Sequence, residues 1–487
     1  MKKNKRFVLL LLSAGLLSTG LLAAQPSVPA EPVAEAKAQA LQDIQGRYAD
    51  YRQLAQQIWG FAEVGYKETK SSALLQKTLR DQGFAVQAGV AGIPTAFVAT
   101  YGSGKPVIGI LAEFDALPGL SQQAVPEKRP IAGQDAGHGC GHHLFGTASV
   151  AAGIELKKLM KEGKLKGTIR VYGTPAEEGG SGKVYLVREG LFKDVDAVVH
   201  WHPGDENRAM MNNYLANSSA KFRFHGIASH AAGSPERGRS ALDAVEAMDY
   251  MVNMMREHVP QETRIHYVIT SGGKAPNVVP DFAEVYYYVR HPNRAQVQDI
   301  FARVVKAAEG AALGTGTTMD YEIIGGTHDL LLNETLARAL QRNMEQVGGV
   351  TYTLEEQAFG QKLQATLGFA VPPVQAAATV APFTTRDGGG STDVGDVSYV
   401  VPTVGLEAAT WIPGTPAHSW QAVACGGTEV GTKGMMVAAK TMALTAIDLF
   451  TNPALLAAAQ AELKTDVGSY VYKPLLGDRK PALNYRD

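Results

Sequence analysis

The segment His138-Gly-Cys-Gly-His-His143 packs three imidazoles and a thiol into six residues. Neutral imidazole nitrogens and a deprotonated thiol are ligands for a divalent ion. Gly139 and Gly141 let the backbone turn tightly enough for alternate side chains to converge. Taken alone, the stretch also reads as a polar loop before a helix. Thr174-Pro-Ala-Glu-Glu-Gly-Gly180 adds two adjacent carboxylates. One of them can ligate a metal while its neighbour faces a reacting water as general base; the bland alternative is a solvated acidic turn. His200-Trp-His-Pro203 closes the apolar run 195–199. In a strand, residues 200 and 202 share one face, so either histidine can reach a site there. Gly414-Thr-Pro-Ala-His418 contributes a late histidine from a Gly/Pro-rich loop, weak evidence by itself.

These clusters need elements that bring them together. Residues 41–82 read as helical, with Leu54, Ile58, Phe61, then Leu74, Leu75 and Leu79 at helical spacing and Gly83 as the stop. Short apolar runs at 95–100 and 106–112 read as buried strands; 146–161 reads as a helix, and 168–173 and 195–200 as further strands. Alternating strands and helices predict an α/β domain with a mostly parallel sheet and helices on both faces. Such sheets bind ligands at the carboxyl ends of their strands, where all four clusters fall.

Between 214 and 327 the pattern changes to strand 220–225, helix 240–258 capped by Ser240, strands 264–270 and 283–290, helix 294–311 and strand 317–324. That order, β-α-β-β-α-β, is ferredoxin-like. The expected division is therefore a catalytic domain over 41–213 and 328–487, with an α+β domain of 214–327 inserted in it.

Lys2, Lys3, Lys5 and Arg6 precede an apolar run over 7–22, then Ala23-Ala24 and a Pro/Ala-rich stretch. This is the pattern of a secretory signal peptide over 1–24, followed by a leader linker over 25–40. The competing reading is an uncleaved anchor, but the run is shorter than the ~20 residues a spanning helix needs. The expectation is export to a periplasm or beyond, with no membrane contact after cleavage. A formal charge of -1, with no basic block, argues against nucleic acid as partner. Two cysteines, Cys140 and Cys425, in a chain of 487 residues do not make a disulfide scaffold. They can still form one bridge, which is the structural alternative to a chemical role for Cys140.

Several motifs in order resemble one family. Ala112-Glu-Phe-Asp-Ala-Leu-Pro118, His138-Gly-Cys-Gly-His142, Pro175-Ala-Glu-Glu-Gly-Gly180, the strand from Asp196 to His202, Ser229-His-Ala-Ala232, Gly238-Arg-Ser-Ala-Leu-Asp-Ala244, Ala275-Pro-Asn-Val-Val-Pro280 and Gly414 to His418 resemble the dinuclear aminoacylase–carboxypeptidase metallopeptidases. Within them the chain is similar to the branch of hippurate hydrolases, auxin-conjugate amidohydrolases and aminobenzoyl-glutamate hydrolases.

The resemblance implies a hydrolase that splits the amide bond of N-acyl or aminobenzoyl amino acids, or of dipeptides, with two divalent ions, Mn2+ or Zn2+. It implies Cys140 as the ligand shared by both ions, with His142, Glu178, His202 and His418 completing the set. Glu177 is implied as general base, with Asp115 and His138 supporting the ligands from behind. His230, on the inserted domain, is implied to stabilise the oxyanion in the partner subunit of a homodimer, and Asn277 and Arg290 to hold the substrate's carbonyl and carboxylate. Two departures stand out. Glu113-Phe-Asp115 replaces the wider family's His-x-Asp pair, and His143 follows the Cys-Gly-His motif where the auxin-conjugate branch often has Asp. A non-catalytic exported binding protein on the same fold is the rival reading; it would have lost Glu177 or a ligand, and this chain has both. A Cys-His nucleophilic hydrolase is a further rival, separable because metal removal would spare it.

Overall fold

The computed structural model describes residues 31–486 except Gly389, so the expected signal peptide lies outside the described residues. The stretch expected as a linker does not stay irregular: Glu31–Gly46 is a helix that buries Ala36, Ala40 and Ile44. Its Ala-rich sequence is a strong helix former, and three apolar contacts at i, i+4 and i+8 fix it to the core. Helices Tyr48–Phe61 and Thr69–Asp81 follow.

The principal sheet has seven strands in the order Ala85–Ala88, Phe97–Ser103, Gly167–Gly173, Val107–Ala112, Ala197–Gly204, Thr403–Ala409 and Arg208–Ala209. The four central strands pair in parallel. The flanking pairs are antiparallel, so the sheet is mixed around a parallel centre. Val107–Ala112 is buried at every position, as expected of a strand covered on both faces. The helices His142–Lys161 and Glu429–Thr451 pack on each other and on the central strands. Glu429–Thr451 is long and apolar enough to cross a bilayer, but it is a core helix here, buried almost throughout.

The inserted segment builds a four-stranded antiparallel sheet, ordered Thr318–Thr327, Ala216–His225, Phe282–His291, Arg264–Ser271. Helices Ala241–Met255 and Arg294–Thr315 cover one face and share a separate apolar core with it, from Phe222 and Val245 to Ile300 and Val304. Ser240 caps its helix by accepting from the Asp243 amide at 3.1 Å, as its residue type predicts. Along Phe282–His291, Val285, Tyr287 and Val289 face that core while Tyr286, Tyr288 and Arg290 face away from it.

Within this core, burial pushes the Asp249 carboxyl up to about 6, with the Tyr287 hydroxyl donating to it. An acid that titrates higher folded than unfolded binds more protons in the native state, so stability falls as pH rises from about 4 to 6. Asp249→Asn keeps the acceptor and removes the charge. It is expected to flatten this dependence and, after allowance for solvent screening, to stabilise the protein by about 1–2 kcal/mol at pH 8. Denaturant midpoints at pH 4, 6 and 8 read both effects.

Candidate metal centre and active site

The expected ligands gather at the carboxyl end of the central strands: His202 near the end of a strand, Glu178 and His418 after strands, and Cys140 and His142 at the start of a helix. His202 lies within Ala197–Gly204, which runs four residues beyond the expected end because Trp201 is fully buried and donates to the Phe145 carbonyl at 3.1 Å. The carbonyl of its neighbour Pro203 accepts from His202 Nδ1 at 2.7 Å, which leaves Nε2 as the free lone pair. That Nε2 lies 3.4 Å from Cys140 Sγ. His200 also lines the cavity, but its ring is packed against Gly405 and burial pushes its pKa down to about 3.

Cys140 stands in the tight turn before the helix His142–Lys161. Gly141, at φ +75°, makes that turn and would drive a Cβ to 2.7 Å from Pro203. His418 Nε2 is 3.4 Å from the same sulfur and 3.3 Å from Glu178 Oε1. His142 donates Nδ1–H to Asp115 at 2.9 Å and turns Nε2 inward, 3.1 Å from Glu113 Oε2. Asp115 is thus the orienting carboxylate, and its other oxygen accepts the Glu178 amide at 2.9 Å. The sulfur belongs to two ligand groups at once, Cys140/His142/His202 and Cys140/Glu178/His418, each with its donor atoms within 4.8 Å of one another.

The donor chemistry fits divalent cations. His142 Nε2, Glu178 Oε1 and Glu113 Oε2 are buried, and their close contacts, His142 with Glu113 and Glu178 with His418, lack hydrogen-bond geometry, so none is satisfied by a hydrogen bond among the described residues. Unpaired buried acceptors cost free energy unless something positive meets them. Burial, reinforced by the Glu178 carboxylate, pushes the Cys140 thiol well above its ordinary range. A thiolate in this position therefore needs cations beside it.

The loop carrying the carboxylates is strained. Ala176 (φ +57°) and Ser181 (φ +56°) hold left-handed conformations rare for non-glycine residues, and so does His418 (φ +57°). Each costs about 1–3 kcal/mol, and such residues collect where geometry must be imposed. Glu68 supplies part of the restraint by accepting the Ala176 amide at 2.8 Å. Burial, together with Glu113 and Glu178, holds the Glu177 carboxyl well above the usual range. Burial opposes ionisation of Glu178 as well, but the His418 and His142 rings hold it below that range. Glu113, Cys140, Glu177, Glu178, His202 and His418 line one cavity of about 780 Å³.

The sequence profile of Peptidase family M20/M25/M40 matches residues 109–388. The chain is 43% identical to a p-aminobenzoyl-glutamate hydrolase component of Escherichia coli (strain K12) over 85% of its own length and 91% of that protein. The chain belongs to this family. It is an amide-cleaving, metal-binding hydrolase. Xaa-Arg dipeptidase of Mus musculus is 30% identical over 84% of this chain and 88% of its own. Among solved structures, the Bacillus subtilis YXEP protein, a dinuclear metal binding peptidase from the M20 family, superposes with a TM-score of 0.55 at 17% identity. The match covers 84% of this chain and 99% of that one.

In this M20 chain the remaining expected residues divide. Arg290 lines the cavity from the inserted sheet, together with Tyr288, Asn217 and Thr327. His230 and Asn277 do not reach it within one chain. Both are exposed, and His230 Nδ1 accepts from the Gly233 amide at 2.9 Å. His138 is buried behind the site, with Nε2 3.1 Å from the Ile58 carbonyl and its ring 4.8 Å from that of His143. Burial and the nearby His142 push its pKa down to about 4. It touches no ligand by a direct hydrogen bond among the described residues, so its support is packing against the motif rather than orientation of a donor. His143 points the other way and donates Nε2–H to the Gly426 carbonyl at 3.0 Å. Cys140 and Cys425 are both free thiols, which removes the disulfide alternative.

Sequence reasoning missed the buried lysine that balances the site. Lys183, fully buried, donates to Glu113 at 2.6 Å and Asp393 at 2.7 Å. Burial opposes its charge, but these two carboxylates more than offset that and keep it protonated. Asp393 thereby belongs to the site. Asp396 instead serves a separate network, accepting from the His328 amide at 2.9 Å and from the Tyr472 hydroxyl at 2.7 Å.

Proposed function

We propose that this hydrolase cleaves the amide bond of N-acyl or aminobenzoyl amino acids, or of dipeptides, with a free carboxylate on the leaving side. The observation that supports this best is the double membership of Cys140 Sγ in two ligand groups beside Glu177. The cavity of about 780 Å³ suits a small-molecule substrate. The name of the 43% identical relative, a p-aminobenzoyl-glutamate hydrolase, is consistent with an aryl amide of an amino acid.

Cys140, His142, Glu178, His202 and His418 would hold two divalent ions. Thiolate and imidazole favour Zn2+, whereas carboxylate oxygen also suits Mn2+. When bound, such ions polarise the scissile carbonyl and acidify water for attack. Glu177 takes the proton from the attacking water and hands it to the departing nitrogen. Asp115 and the Pro203 carbonyl keep the His142 and His202 lone pairs turned inward. Arg290 forks onto the substrate's carboxylate.

The working assembly is proposed to be a homodimer formed through the inserted sheet, with His230 and Asn277 acting in the partner's cavity. Support comes from the edge strand Arg264–Ser271, whose Tyr267, Val268 and Ile269 are exposed, unusual for an unprotected edge. The leader supports export to the periplasm or the medium. His230→Ala is expected to lower kcat by about 10²–10³-fold, as loss of one oxyanion donor does. Mixing it with Glu177→Ala is expected to restore part of the activity, because one of the two sites in a mixed dimer is then complete. Lack of complementation counts against the shared site. The function itself is tested with full-length protein, chelated and then loaded with Mn2+ or Zn2+, against a panel of N-acyl amino acids. Metal-dependent cleavage is expected; no cleavage of any member overturns the reading.

A further inference from the structure

We propose that Arg486, together with Arg290, forms a two-guanidinium subsite selecting substrates whose leaving amino acid carries a second, side-chain carboxylate. The inference rests on the amide-hydrolase reading above and narrows its substrate class.

Both arginines line the cavity that holds Cys140 and Glu177, although 196 positions separate them in sequence. Neither forms an ion pair among the described residues, and the Nε of each is buried without a partner. Both side chains are only partly buried, but two guanidiniums that line one cavity without a carboxylate partner leave their charge to be balanced by an anion from outside. A single carboxylate occupies one planar fork. A second fork lining the same cavity therefore suits a second carboxylate.

Both heads are held in place before any substrate arrives. Arg290 lies 5.2 Å from the Tyr288 ring, whose hydroxyl is 3.1 Å from that of Tyr286. Arg486 stacks 4.7 Å from the Tyr485 ring and donates Nη2–H to the Glu178 carbonyl. Tyr485 donates to the same carbonyl at 3.1 Å and meets the Tyr66 ring edge-on at 5.6 Å. Arg486 is thus seated on the loop that carries Glu177 and Glu178, with its Nε still free. In the same cavity, Thr327 Oγ1 is another buried, unpartnered group able to donate to an anion.

The test compares N-benzoyl-glutamate with N-benzoyl-alanine on the full-length, metal-loaded enzyme. The wild type is expected to prefer the glutamyl substrate by at least about tenfold in kcat/KM. Arg486→Ala is expected to raise KM for N-benzoyl-glutamate by about 10–100-fold, as a lost charge-assisted contact does, with KM for N-benzoyl-alanine changed less than about threefold. Tyr485→Phe removes one bond to the Glu178 carbonyl but leaves the guanidinium, and is expected to keep the preference. Equal wild-type use of both substrates overturns the proposal. So does an equal loss on both in Arg486→Ala, which would make Arg486 a brace for the Glu178 loop. Direct calorimetric titration with glutamate and alanine gives a second readout, with glutamate bound more tightly by the wild type and not by Arg486→Ala. Cleavage of neither substrate, or of any other N-acyl amino acid, overturns the underlying amide reading and this proposal with it.

Discussion

Replacing Glu177 with glutamine is expected to lower kcat by about 10²–10⁴-fold, the range lost when a general acid–base group is removed. Glutamine keeps the size and one acceptor oxygen but can neither take a proton from water nor return one to the leaving nitrogen. The position of the side chain is imposed by the left-handed Ala176 before it and by the Glu68 carboxylate on the Ala176 amide. Those restraints are untouched by the substitution, so metal content and KM are expected to stay within about threefold of the wild type if binding is uniform. Steady-state kinetics with parallel metal analysis separates this outcome from a ligand role. A fall in bound metal, matching the fall in rate, would show that Glu177 holds an ion rather than a proton.

Replacing Cys140 with alanine is expected to have the larger structural effect on the centre. The sulfur is the one donor common to both ligand groups, so its loss removes a ligand from each. Metal affinity is expected to fall by more than about 100-fold, beyond the 10–100-fold typical of changes in residues that only orient the ligands. The variant leaves His202, His418 and Glu178 facing one another without the sulfur between them. Activity is expected at background and bound metal below one ion per chain, measured by elemental analysis after dialysis. Retention of two tightly bound ions would contradict the shared-sulfur arrangement.

The motifs at 138–143, 174–180, 200–203 and 414–418 are legible in the sequence because each ligand lies on a short contiguous run, at the end of a strand or the start of a helix. The spacing leaves His200 and His202 equivalent, since strand periodicity puts both on one face. The approach of His202 Nε2 to Cys140 Sγ, the contact of Pro203 with His202 Nδ1 and the packing of His200 on Gly405 distinguish them. The ferredoxin-like order between 214 and 327 is readable because its amphipathic strands and capped helices carry local signals. Other features depend on distant partners. Lys183 in Gly-Ser-Gly-Lys reads as a surface residue until Glu113 and Asp393 close around it. Tyr485 and Arg486 reach Glu178 across 307 and 308 positions, and no local pattern announces so remote a contact. The antiparallel edges of the main sheet escape sequence reading because a strand's own residues do not state the direction of its neighbour. Composition misleads at 25–40, where a Pro/Ala-rich stretch looks like a linker but Glu31–Gly46 finds a core to pack against.

Central to this account is one sulfur serving two cations. X-ray absorption on the Mn2+- or Zn2+-loaded protein, combined with metal counting, addresses it most directly. The account predicts two ions per chain, a sulfur scatterer at bonding distance (about 2.3 Å for Zn2+), and a Cys140 thiol that resists alkylation until the metal is removed. A fully active enzyme with no metal–sulfur scattering and a freely alkylated Cys140 would contradict it.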